Sequence, residues 1–146
     1  MTTARPWQTL RMTDDELRAL LTSVKTVAVV GASANPDKPS GEVPIWLVEA
    51  GFTMIPVNPK AETIAGQKVY RSLADIPVPI DVVDVFRPSE ETPDVARQAA
   101  EVGAKVLWLQ LGITSEDARA TAEEAGMTYL EDICIGATVR RLGIRK

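Results

Sequence analysis

Three cations stand just past three apolar runs of strand length. Lys38 lies in Gly31-Ala32-Ser33-Ala34-Asn35-Pro36-Asp37-Lys38-Pro39-Ser40-Gly41, Lys60 in Val57-Asn58-Pro59-Lys60, and Arg87 in Phe86-Arg87-Pro88. The first stretch is rich in small residues, which let backbone N–H groups approach a ligand closely, and the helix expected after it turns its positive end toward an anion. That suits a phosphate. Neither the G-x-G-x-x-G dinucleotide fingerprint nor the Gly-Lys-Ser/Thr ending of a P-loop is present, so the loop alone does not say which phosphate compound it meets. An NAD site ordinarily carries an acid after the second strand, where it accepts from the ribose hydroxyls. Lys60 stands there instead and would attract a phosphorylated ribose, such as those of NADP and coenzyme A. Phe86 and Arg87 add an aromatic edge and a fixed charge, suited to an adenine face and a phosphate. A plain loop with solvated lysines is the bland alternative, and it leaves the clustering of cations unexplained.

Composition removes other chemistry. The 146 residues contain no histidine, which excludes Ser-His-Asp and Cys-His machinery, phosphohistidine chemistry and His-containing zinc sites. A net charge of −4 argues against general nucleic-acid binding, which needs excess Lys and Arg. No apolar run approaches the roughly 20 residues of a membrane span, and the first ten residues lack the apolar core of a secretory signal, so a cytoplasmic protein is expected. The single cysteine, Cys134, cannot form an internal disulfide. Flanked by Ile133 and Ile135, it is expected to be a buried structural thiol rather than one that pairs with a ligand thiol. Glu131 and Asp132 read as a solvated turn, Ser89-Glu90-Glu91 as helix-surface charge, and Trp46 and Trp108 as core. Trp7 would pack on the body or on a second subunit. Arg140, Arg141, Arg145 and Lys146 form a basic tail that is expected to be solvated unless the last helix folds back.

The elements that must position these groups follow from periodicity and punctuation. Thr13-Asp14-Asp15-Glu16 reads as a capping box, with Leu17, Leu20, Leu21 and Val24 at helical spacing behind it. Residues 1–25 therefore form a leading helical segment laid on a single domain spanning 1–146. Strands are expected near 26–30, 53–57, 82–86, 105–109 and 127–130. A helix is expected from about Gly41 to Ala50, with Pro44 tolerated because it falls near the first turn. Three later stretches repeat helix, glycine, strand, and Thr92-Pro93-Asp94 and Thr114-Ser115-Glu116-Asp117 supply helix starts. Lys60 to Pro79 is irregular, with a short extended piece and one helical turn. Strands that are apolar throughout predict a parallel sheet covered on both faces. The fold class is thus α/β: a Rossmann-like, doubly wound sheet of about five strands.

Gly31-Ala32-Ser33, Val57-Asn58-Pro59-Lys60, Asp84-Val85-Phe86-Arg87 and Leu109-Gln110-Leu111-Gly112 follow one another as do the motifs of the small CoA-binding protein family, which the chain resembles over roughly residues 23–136. That family is similar to the CoA-binding domain of the succinyl-CoA synthetase alpha subunit. The resemblance implies a Rossmann-like fold that binds coenzyme A or an acyl-CoA. It places Gly31, Ala32, Ser33, Asn35 and Lys38 toward the diphosphate, with Ser40 and Gly41 opening the helix behind. Val57, Asn58 and Pro59 would border the adenosine and Lys60 the ribose phosphate. Phe86 and Arg87 would close the nucleotide side, and Gln110 the side toward the pantetheine. The larger synthetase uses a phosphorylated histidine in a separate domain, so this chain is expected to bind without catalysis, as a carrier, sensor or regulatory partner. An NADP-dependent oxidoreductase and a subunit of an acyl-CoA synthetase are the alternatives, and the apolar leading helix leaves room for a homodimer or a partner enzyme subunit.

Overall fold

The computed structural model describes residues 12–146; Trp7 and the first part of the leading segment lie outside them. Five parallel strands, β1 (Thr26–Val30), β2 (Thr53–Val57), β5 (Val82–Val85), β6 (Val106–Leu109) and β7 (Thr128–Leu130), form one sheet in the order β2-β1-β5-β6-β7. Helices α1 (Asp14–Ser23), α2 (Pro39–Glu49) and α5 (Ile135–Arg141) cover one face, and α3 (Thr92–Glu101) and α4 (Glu116–Glu124) the other. Alternate residues of a strand point to opposite faces, so Val27 and Val29 enter the first core while Ala28 enters the second. Both faces being covered explains why the strands are apolar throughout. The Rossmann-like expectation is met.

Thr13 makes the expected capping box: its Oγ1 accepts from Glu16 N at 3.1 Å and its N donates to Glu16 Oε1 at 3.0 Å. Leu17 and Leu21 then seat α1 in the core. The basic tail folds back onto this helix, with Arg141 Nη1 2.8 Å from Asp14 Oδ2 and Lys146 Nζ 2.6 Å from the Thr22 carbonyl. In the irregular segment, β3 (Thr63–Ile64) and β4 (Gln67–Lys68) form a small antiparallel hairpin, followed by a 3-10 turn at Leu73–Asp75. Trp108 is core as expected, its indole N–H donating to the Ile133 carbonyl at 2.8 Å, whereas Trp46 is half-buried beneath the Arg140 guanidinium, 4.4 Å from the ring.

Two carboxyls, one just before β5 and one within it, sit under opposite conditions. Asp81 Oδ2 accepts from Lys25 N at 2.9 Å and Thr26 N at 3.0 Å, and its Oδ1 lies 3.3 Å from Lys105 Nζ. Burial pushes this carboxyl up, but the two amide donors and the ammonium outweigh it and hold it below its ordinary value. Asp84, level with Val29 and Trp108 on the neighbouring strands, is fully buried, and neither oxygen has a partner among the described residues. Burial pushes its carboxyl well above its ordinary value.

Candidate ligand-binding site

The strand order reverses direction between β1 and β5, and in such sheets ligands settle beyond the carboxyl ends of the strands at that crevice. Gly31 opens the loop with φ of +85°, where a Cβ would come within 2.3 Å of the Phe86 carbonyl oxygen. Gly41 is equally constrained: a Cβ there would lie 2.0 Å from the Asn35 carbonyl oxygen. Glycine at both places lets the loop fold against β5 and against its own helix. Within it, Ser33 Oγ accepts from Asn35 N and Asn35 Oδ1 from Asp37 N, each at 3.0 Å. The side chains of Ser33 and Asn35 therefore shape the loop, while the amides of Ala32, Ala34 and Ser40 donate to no group among the described residues.

The helix behind the loop begins at Pro39, two residues earlier than expected, which places Pro44 in its interior. A proline there cannot donate to the carbonyl four residues back, that of Ser40. The Ser40 carbonyl instead accepts from Ser33 N at 2.9 Å. The missing donor thus frees an acceptor that ties the loop to the helix.

Asn58 links the first loop to the second. Its Nδ2 donates to the Ala32 carbonyl at 2.9 Å, and its Oδ1 accepts from the N–H groups of Lys60 and Ala61, each at 2.8 Å. Below it lies a groove of about 510 Å³ whose walls include Gly31, Val57, Asn58, Pro59, Arg71 and Arg87. Lys60, exposed in its turn, is not on that wall; Arg71 is. The Arg71 guanidinium reaches back to the carbonyls of Asn58 at 3.0 Å and Ala61 at 2.7 Å, and to Glu62 at 3.3 Å. Sequence spacing gave no warning of this residue, because the β3–β4 hairpin brings it round. The opposite wall carries acids, Glu90, Glu91 and Asp94, of which Glu91 Oε1 pairs with Arg87 Nη2 at 2.6 Å.

Arg87 also lines a second cavity, of about 670 Å³, with Lys38, Ser40, Trp46, Phe86, Gln110, Leu111, Ile113 and Cys134. The floor is aromatic and aliphatic, and Lys38 and Arg87 supply the cations. Gln110 is only 2% exposed, and its Oε1 accepts from Ile135 N at 3.0 Å, while its Nε2 donates to no group among the described residues. Leu111, by contrast, is 70% exposed at the rim. Of the expected site residues, Gly31, Val57, Asn58, Pro59 and Arg87 meet in the groove and Lys38, Ser40, Phe86, Gln110 and again Arg87 in the cavity. Ala32 and Gly41 are buried in support, and Ser33 and Asn35 hold the loop. Lys60 joins neither hollow.

The two hollows share Arg87 as a wall residue, beside the small-residue loop. Among known protein families, the CoA binding domain matches residues 25–140. The chain belongs to the CoA-binding domain family. This CoA-binding domain is 42% identical over 120 residues to the uncharacterized protein YneT of Bacillus subtilis, covering 82% of the present chain and 89% of YneT. It is similar to a hypothetical protein of Pyrococcus horikoshii whose structure superposes with a TM-score of 0.88 at 38% identity, over 97% of this chain and 99% of that one. It is also 35% identical over 102 residues to the ADP-forming acetate–CoA ligase II of Archaeoglobus fulgidus, covering 68% of this chain but 15% of the ligase. The CoA-binding domain is thus related to one part of a much larger acyl-CoA-forming enzyme.

Proposed function

We propose that this chain binds coenzyme A or an acyl-CoA without catalysing its conversion, as a cytoplasmic carrier, sensor or regulatory partner. The observation that carries this reading is that Arg87 stands in the walls of both the groove and the cavity, next to loop amides that have no partner among the described residues. The adenosine would lie in the groove against Val57, Asn58 and Pro59, the diphosphate over the Gly31, Ala32, Ser33, Asn35 and Lys38 loop at the start of α2, and the pantetheine in the cavity beside Phe86 and Gln110. Lys60 and Arg71 would share the ribose phosphate, Lys60 from the rim and Arg71 from the wall. The family membership supports the ligand class, and the apolar cavity supports a ligand longer than a nucleotide.

A second reading, a subunit working with an acyl-CoA synthetase, is favoured by the similarity to part of the acetate–CoA ligase. Calorimetric titration with coenzyme A, dephospho-coenzyme A, NADP and NAD tests the first reading. Coenzyme A should bind most tightly; preference for NADP would point to an oxidoreductase instead. Co-purification with a ligase subunit, together with acyl-CoA formation by the pair, would favour the second reading.

A further inference from the structure

Cys134 was expected in the core, but it is partly exposed and forms part of the cavity wall together with Lys38 and Arg87. Ile133 and Ile135 misled because they describe their own surroundings: Ile135, the first residue of α5, is fully buried while Cys134 beside it lines the hollow. A second feature of the same wall points to a polar guest. Gln110, almost wholly buried, accepts from the Ile135 amide at Oε1, while its Nε2 has no partner among the described residues and its side chain lines the same wall. A donor held at the wall by an otherwise buried side chain is placed to bond a polar guest in the hollow. The amide bonds of a pantetheine arm offer carbonyls of the right kind, and that arm ends in sulfur. A partly exposed thiol on a wall that also carries Lys38, Glu42 and Arg87 is open to exchange with the disulfide of a guest held in the same hollow.

We infer that Cys134 is a thiol–disulfide exchange site that captures coenzyme A from a coenzyme A disulfide; the inference rests on the proposed ligand class. The Cys134 thiol gives its proton to solvent, and the thiolate sulfur attacks one sulfur of the bound disulfide. A bond forms between Cys134 Sγ and that sulfur as the original S–S bond breaks. The departing coenzyme A thiolate takes up a proton, giving a free thiol. One disulfide is exchanged for another, and no further oxidant is needed. An incoming thiol reverses the step.

The test uses the full chain, reduced and then freed of reductant. It is incubated with coenzyme A disulfide or, in parallel, with glutathione disulfide at equal concentration, and followed by intact mass spectrometry. The expected result is one coenzyme A per chain, removed by dithiothreitol. The chain holds one cysteine, so the adduct locates itself. Glutathione disulfide should react at least ~10-fold more slowly, because it lacks the nucleotide that holds the sulfur in place, and adenosine 3′,5′-bisphosphate should slow only the coenzyme A reaction. Equal rates for the two disulfides would overturn the inference, since Cys134 would then be merely an accessible thiol. Absence of adduct from a protein that binds reduced coenzyme A would overturn the exchange while sparing the ligand assignment. Absence of both would overturn both.

Discussion

The side-chain amide of Asn58 donates to the carbonyl of Ala32 at 2.9 Å, joining loops that are 26 residues apart in sequence. On its other side the same amide accepts two N–H groups of its own turn, so one residue sets the relative position of the loops proposed to hold the adenosine and the diphosphate.

Asn58→Ala should therefore lose about 1–3 kcal/mol of stability, given two half-buried hydrogen bonds and one exposed one at roughly 1 kcal/mol each. Asn58→Asp keeps the acceptor for Lys60 and Ala61 but turns an oxygen toward the Ala32 carbonyl, so it should fare no better. Urea unfolding of both variants measures this. A fully stable Asn58→Asp protein would show that the link between the loops is not needed.

The preference for coenzyme A over dephospho-coenzyme A should amount to about 1.5–3 kcal/mol, the scale of charge-assisted hydrogen bonds. Arg71→Ala should remove the larger part of it and Lys60→Ala a smaller part, because Arg71 lines the groove and Lys60 stands outside it. Calorimetry of each variant with both ligands checks the division. If either change weakens the two ligands equally, that residue does not face the ribose phosphate.

Asp84 should make the protein less stable as pH rises. Its carboxyl is raised in the folded chain, so its favourable contribution is complete below the ordinary carboxyl value of 3.8 and is lost progressively above it, as the unfolded chain releases a proton that the folded chain keeps. Asp84→Asn lacks this proton, and its stability relative to the parent should improve by up to about 1.4 kcal/mol per pH unit above that value. Denaturation midpoints between pH 4 and pH 8 test it; a constant gap across that range would mean that Asp84 is ionised in place.

Asp81 works in the opposite sense. Its carboxyl is lowered by folding, so the stability it contributes is present above its ordinary value of 3.8 and is lost as the pH falls through the lower folded value. Asp81→Asn should cost about 1–2 kcal/mol at neutral pH, from charge-assisted bonds to Lys25, Thr26 and Lys105. The difference from the parent should close below pH 4 in acid-unfolding curves.

Much of the architecture could be read from residue order because local and long-range signals agree in it. Thr13 and Ser115 cap helices as their spacing demands, and the apolar strands lie in a sheet covered on both faces. The start of α2 was misplaced because Pro44 looks like a first-turn residue, and only the Ser33–Ser40 hydrogen bond explains how it sits mid-helix. In the site, glycines and small residues declared the loop, but the direction of long side chains did not follow from spacing. Lys60 turns outward where Asn58 draws the chain round, and Arg71 arrives from a hairpin with no strong periodicity. Glu90 and Glu91 read as helix-surface charge and yet line the groove, from a 3-10 turn at Ser89–Glu91 that leads into α3.

Arg87 belongs to the walls of both hollows. For any guest long enough to occupy both, its two halves cannot be judged separately: whatever factor a bulky thioester tail adds to or subtracts from the hold on the purine end, the purine end returns to the tail. A carrier so constructed would rank its cargoes by what hangs from the sulfur while gripping them by the sugar.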